Sequence, residues 1–163
     1  VLEELGDMGF NPLYTHMEQS GLTFKNQRLR MVMGIATHAG IYLDMEKFKQ
    51  YTDASKYFVI LHEIAHGKRI QKLGKKWAIA KMSLDNFDDF ANAVFHEEIL
   101  ADRYASYMLF KLTGVSFPRS ATQQLHYAYK QEEYKSLIRP LFGHVNNDEE
   151  KYNKLFESYL IND

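Results

Sequence analysis

The sequence contains no cysteine. Disulfide frameworks, thiolate zinc ribbons and cysteine nucleophiles are therefore excluded, and any metal site must be built from His, Asp and Glu. Proline (3) and glycine (9) are scarce among the 163 residues and do not cluster. No linker, repeat or low-complexity stretch divides the chain, and its length suits one domain. Long apolar runs are missing too. The longest, Tyr57-Phe58-Val59-Ile60-Leu61, falls far short of the ~18–20 residues that span a bilayer, so no membrane role is expected. Nor is there an excess of one charge: 20 Lys+Arg stand against 21 Asp+Glu, for a net charge of -1. Proteins that grip phosphate backbones are normally basic, so nucleic acid is not an expected partner. What remains is ordinary globular material, 45% hydrophobic and 25% charged, enough for a sizeable core. No signal peptide is visible and a cytoplasmic setting is expected. Secretion stays open, because the chain starts at Val1 rather than Met and a removed leader would not be seen.

Patterning along the chain predicts an α+β domain, mainly helical with a small N-terminal antiparallel or mixed sheet. A short helix or turn opens it at Val1–Leu5. Pro12 suits the first turn of a helix to about Gln19, stopped by Ser20-Gly21. Alternation from Arg28 to Ile35 (Leu29, Met31, Met33, Ile35) predicts a strand. Thr37-His38-Ala39-Gly40 predicts a turn and Ile41-Tyr42-Leu43 the return strand of a hairpin. Thr52-Asp53 can cap a helix through His66, ending at Gly67 or running on to Gly74. It is apolar on nearly every side and should be buried. Gly74 to Ser83 is ambiguous. A second long helix is expected from near Asp85 to about Leu112, stopped by Thr113-Gly114, with further helices at about 120–138 and 148–160. The expectation is a single domain over 1–163, with its core at about 10–112 and a helical C-terminal part at 113–163.

The sharpest signal is His62-Glu63-Ile64-Ala65-His66. Two histidines four apart on a helix lie ~40° apart around its axis and one turn up, so both imidazoles can reach one ion. Zn2+ suits this set, because neutral imidazole is a good zinc ligand and no thiolate competes. Glu63 lies beside that face, where it can take a proton from water. A catalytic zinc needs a third protein ligand. Projected at ~100° per residue, the second long helix places Phe87, Ala91, Val94, Phe95, Ala101, Ala105, Leu109 and Leu112 within ~60° of Glu98. Glu98 thus sits mid-stripe, and Asp102 lies ~40° away on the same face. Two carboxylates aimed into a core are costly unless a cation joins them. Glu98 can bind the metal, while Asp102 can accept the outer N–H of His62 or His66. The bland alternative pairs Glu98 and Asp102 with Arg or Lys. Glu97 is the rival ligand, toward the edge of the stripe, and His96 projects further away.

These residues resemble the zincin metallopeptidases, in particular the gluzincin arrangement. Glu98-Ile-Leu-Ala101-Asp102-Arg-Tyr-Ala105 looks like the E-x-x-A-[DN]-x-x-A helix that brings the third ligand in several such families. The order of parts also resembles the ImmA/IrrE-like peptidases. A short helical segment precedes a small sheet, with Gly34 leading to the aliphatic strand Ile41-Tyr42-Leu43. Then come the aromatic-led Phe58-Val59-Ile60-Leu61-His62-Glu63-Ile64-Ala65-His66 helix and the Glu helix. The likeness covers about 10–112. The Leu-Leu-Met-Pro-like run of that family has no counterpart here, since after Met108-Leu109-Phe110 no proline occurs before Pro118. SprT-like proteins typically use a third His, for which there is no good counterpart, and HtpX-like peptidases are membrane-embedded. Secreted lethal-factor-like zincins share the later glutamate.

The resemblance implies a zinc endopeptidase. His62, His66 and Glu98 would be the ligands and Glu63 the base acting on zinc-activated water, with Asp102 behind the ligands. A protein or peptide substrate would lie extended along an edge strand, either Arg28–Ile35 or Ile41–Leu43. A regulatory protease is one such reading. By fold-level analogy alone, a transcriptional repressor would be a first target to try. The oxyanion donor would come from Tyr104, His126, Tyr127, Tyr129 or His144, which the sequence does not rank. His16 and His38 read as surface residues, and the aromatics after Gly114 as packing. Two other readings are an inactive zincin-fold module that only holds peptide or protein, and a helical interaction domain with an accidental motif.

Overall fold

The computed structural model describes residues 11–30, 32–74, 86–116, 157 and 160–161. The expected opening turn, the ambiguous stretch after Gly74 and the helices expected near 120–138 and 148–160 fall outside the described residues, except for Glu157 and Leu160.

The described chain is α+β. Helix α1 (Asn11–Gln19) starts with Pro12 in its first turn, as expected, and buries Leu13 and Met17. Three short strands follow: β1 (Phe24–Asn26), β2 (Gly34–Thr37) and β3 (Gly40–Leu43). The hairpin is present, with β2 antiparallel to β3 and Thr37 facing Gly40 across the His38-Ala39 turn. β1 pairs parallel with β3, giving the order β1-β3-β2. Ile41–Leu43 is therefore the central strand and offers no edge, contrary to one of the two expected substrate strands.

The strand predicted from Arg28 to Ile35 is also corrected, since among the described residues only Gly34–Thr37 carries the ladder. Leu29 keeps the burial that the alternation implied, but not the pairing. Its N–H donates to Asp44 Oδ2 at 3.0 Å, and Lys47 Nζ donates to its carbonyl and to that of Val32. Side chains thus satisfy backbone groups that a ladder would otherwise have taken. Leu29 forms only an isolated bridge, with Leu160. The same Asp44 caps the one-turn helix α2 (Met45–Phe48) by accepting from Lys47 N.

Helix α3 (Asp53–Leu73) begins at the expected cap. Thr52 has extended backbone and its hydroxyl accepts from Ser55 N at 3.3 Å. The helix runs through Gly67 to Gly74. Gly67 is a packing glycine rather than a stop, because a Cβ there would lie 2.9 Å from Leu22 Cδ1. Tyr57, Phe58, Ile60, Leu61, Ile64 and Ala65 are buried around most of its circumference, as the absence of a polar stripe predicted. Helix α4 (Phe87–Thr113) is capped by Asn86, whose side chain accepts from Asp88 N at 2.8 Å. It closes at Gly114, in left-handed conformation (φ 74°), whose N–H returns to Phe110 O at 2.8 Å. α3 packs most extensively on α4 and next on β2. The core joins Leu61 and Ile64 of α3, Ala105 and Leu109 of α4, Ile41 and Leu43 of β3, and Leu13 and Met17 of α1. Among the described residues no helix is long and apolar enough to cross a membrane.

Candidate metal centre

The packing of α3 on α4 brings together the three residues that the spacing singled out. One turn apart on α3, His62 and His66 both face α4. Glu98 meets them there, with Oε2 3.0 Å from His62 Nε2 and Oε1 3.1 Å from His66 Nε2. The two Nε2 atoms are themselves 3.1 Å apart. Ligand atoms ~2.0–2.1 Å from a tetrahedral zinc ion sit ~3.3–3.4 Å from one another, so this triangle needs little adjustment to accept one. Among the described residues these three form the one His/Asp/Glu group with metal-binding spacing.

The chemistry of the donor set points the same way. Asp102, 1% exposed, places Oδ1 2.8 Å from His62 Nδ1. A carboxylate oxygen accepts, so His62 Nδ1 donates to Asp102, and in the metal-free chain Nε2 donates to Glu98 as well. Without the Nε2 proton the imidazole and the carboxylate would be two facing acceptors, an arrangement that a cation at the same point would satisfy. Burial works to lower the His62 pKa. The hydrogen bonds to Asp102 and Glu98, with the charges of Glu63 and Glu98, outweigh it and raise it to about 11. Burial likewise works to raise the Glu98 pKa, but the hydrogen bonds from His62 and His66 and their charges hold it well below the usual carboxylate range. The pocket is thus strongly cation-seeking at the point where Nε2, Nε2 and carboxylate converge.

Glu63 is buried against the sheet beside this triangle. Burial raises its carboxyl pKa, opposed by the charges of His62 and His66. The helical position next to His62 and the seat under β2 together define where its carboxylate sits.

The depth ranking from the helical projection is reversed. The Glu98 side chain is 22% exposed, whereas that of Glu97 is only 8% exposed. Glu97 is paired with a cation. Arg69 Nε lies 2.6 Å from Glu97 Oε2, and Arg69 Nη2 lies 2.8 Å from Oε1. The clue was present, because Arg69 follows His62 by seven residues and His66 by three, on the same helical face. His96 is exposed.

Tyr104 does not serve the site in this arrangement. Its hydroxyl is 2.9 Å from His16 Nε2 and accepts from Lys68 Nζ at 3.2 Å, joining α1 to α4. His16 is accordingly half-buried rather than a plain surface residue. Its pKa is lowered by burial and by the charges of Lys68 and Lys111. His38, in the hairpin turn, is exposed. His126, Tyr127, Tyr129 and His144 lie outside the described residues. Comparison with protein-family models, curated proteins and solved structures returned no match, so the chemistry of the site is argued from its own geometry.

Proposed function

We propose that this chain is a zinc-dependent endopeptidase with a zincin-like, gluzincin-type centre. The observation that carries the reading is the convergence of His62, His66 and Glu98 within hydrogen-bond distances, with Glu63 beside them. In this reading His62, His66 and Glu98 hold Zn2+, and Asp102 fixes the His62 tautomer through Nδ1. When bound, the ion supplies Lewis-acid polarisation of a scissile carbonyl and acidification of water.

Glu63 is the proton carrier. Its carboxylate takes a proton from the attacking water and hands it to the leaving nitrogen, the role of a general base that becomes a general acid. In the metal-free chain, burial works to raise the Glu63 carboxyl pKa. The substrate class is protein or peptide. Among the described residues β2 pairs with β3 alone; it lies against Glu63 at Gly34 and suits an extended chain better than central β3.

The test is cleavage of a mixed peptide library by zinc-loaded wild type and Glu63→Gln. Wild type should cleave, while Glu63→Gln should bind zinc equally and cleave at least ~100-fold more slowly. Equal cleavage by the two proteins would remove Glu63 from its role. Stoichiometric zinc with no cleavage by either would leave a peptide-holding module.

A further inference from the structure

The stretch of α4 that faces the two histidines has little apolar material to key it against α3. From Glu97 to Ala105 its buried residues are Glu97, Ala101, Asp102 and Ala105. Packing angle and register between helices are set by side-chain ridges entering grooves, and alanine methyls make shallow ridges. The two buried carboxylates have directional partners on α3 instead. Asp102 Oδ1 lies 2.8 Å from His62 Nδ1, and Glu97 is held by Arg69.

The Arg69–Glu97 contact uses both carboxylate oxygens, with Nε 2.6 Å from Oε2 and Nη2 2.8 Å from Oε1. A planar guanidinium matched to a planar carboxylate fixes separation and orientation together, which a point charge does not. Arg69 follows His66 by three residues and His62 by seven, so it projects from the stripe of α3 that carries both histidines. Glu97 directly precedes Glu98 on α4. The pair therefore ties the two helices beside the point where the candidate ligands meet. Roll is amplified at side-chain tips: a helix is ~10–12 Å across with its side chains, so a roll of ~10° moves a tip by ~1 Å. Metal–ligand distances hold to ~0.2 Å. Stability is not what such a pair is best suited to supply. The Glu97 side chain is 8% exposed, and taking a carboxylate out of water offsets much of the attraction, so well-packed apolar residues can often replace a buried pair without loss. They would not replace its direction.

We propose that Arg69 is a positioning residue for the metal centre: its two-point grip on Glu97 fixes the roll of α4 on α3 that brings Glu98, rather than its neighbour, to His62 and His66. The consequence for metal binding rests on the reading of that cluster as a zinc site; the roll does not. The same roll sets Asp102 against His62, so both ring nitrogens of His62 report it.

The experiment uses the full chain as wild type, as Arg69→Met, and as Arg69→Met combined with Glu97→Met. The single change strands a buried carboxylate and should lower the unfolding midpoint in denaturant. The double change removes that charge and should return the midpoint to the wild-type value or above. The double variant thus separates direction from stability. Its zinc affinity, by competition with a chromophoric chelator, should still fall at least ~10-fold, the scale of losing an outer partner of a ligand.

A second readout needs no metal. In excess chelator, the His62 ring N–H protons of wild type, hydrogen-bonded to Asp102 and Glu98, should appear downfield in proton NMR and exchange slowly. In the double variant they should exchange at least ~10-fold faster. Zinc affinity within twofold of wild type in the folded double variant would overturn the proposal and assign the pair to stability alone. So would wild-type exchange of both ring protons in that variant. If wild type binds no zinc, the zinc reading fails by itself, and the ring-proton measurement still decides the positioning role.

Discussion

Asp102→Asn is the most informative single change. The substitution keeps shape and volume and removes one charge from a side chain 1% exposed, 2.8 Å from His62 Nδ1. With its carbonyl toward His62, the new amide would still accept the Nδ1 proton. The bond would no longer be charge-assisted, however, and His62 Nε2 would become a poorer donor to a metal. Losing such an outer partner costs 10- to 100-fold in metal affinity, or ~1.4–2.7 kcal/mol. The amide nitrogen would take the place of Oδ2, a buried atom without a hydrogen-bond partner in the structure. It would become a buried donor seeking an acceptor, with a folding cost of ~1–3 kcal/mol. The assay is zinc competition against a chromophoric chelator, with thermal unfolding followed in excess chelator. Zinc affinity within twofold of wild type in a folded Asp102→Asn protein would refute the claim that Asp102 orients His62.

Three further outcomes follow from the same geometry. Glu98→Ala should weaken zinc binding far more than Glu97→Ala, as measured by the same competition; the reverse order would shift the third ligand by one residue. Arg69→Ala should destabilise the fold by about 2 kcal/mol in denaturant titration. That lies below the ~3–5 of a fully buried pair, because the Arg69 side chain is 41% exposed while Glu97 is stranded in the interior; an unchanged midpoint would contradict it. In excess chelator, the raised His62 pKa contributes stability below its unfolded value of 6.5, lost as pH rises toward about 11. The lowered Glu98 pKa contributes stability above 4.5, lost as pH falls through its folded value. Zinc must displace the His62 proton, so the zinc-induced rise in Tm should grow from about pH 5.5 to about pH 8, with proton release detectable by calorimetry in buffers of different ionisation enthalpy. A shift independent of pH would argue that His62 is not a ligand.

Much of the site was legible because helix geometry is short-range. His62 and His66 needed only the four-residue spacing and the Thr52 cap to share a face, and Glu98 with Asp102 needed only the stripe of α4. The relative depth of Glu97 and Glu98 was not legible, because it depends on how α4 rolls against α3. Arg69 reaching across to Glu97 settles that roll, and no periodicity within α4 reports it. The sheet shows the same divide. The β2–β3 hairpin is local and could be read from Thr37-His38-Ala39-Gly40. β1 is three residues long, with two exposed positions, and pairs in parallel with a strand distant in sequence, leaving no alternation to find. The segment 28–33 misled in an instructive way. Alternation records which side chains are buried, as Leu29 is, while the partners of its backbone were side chains of Asp44 and Lys47 that a strand pattern does not anticipate.

The central claim is that one divalent ion binds between α3 and α4. The direct measurement is zinc content after dialysis against limiting zinc, followed by anomalous diffraction at the zinc edge on crystals of the same preparation. One equivalent per chain and a single anomalous peak contacting His62 Nε2, His66 Nε2 and a Glu98 oxygen is the expected result. Substoichiometric zinc that exchanges freely, or a peak away from these three side chains, would contradict it.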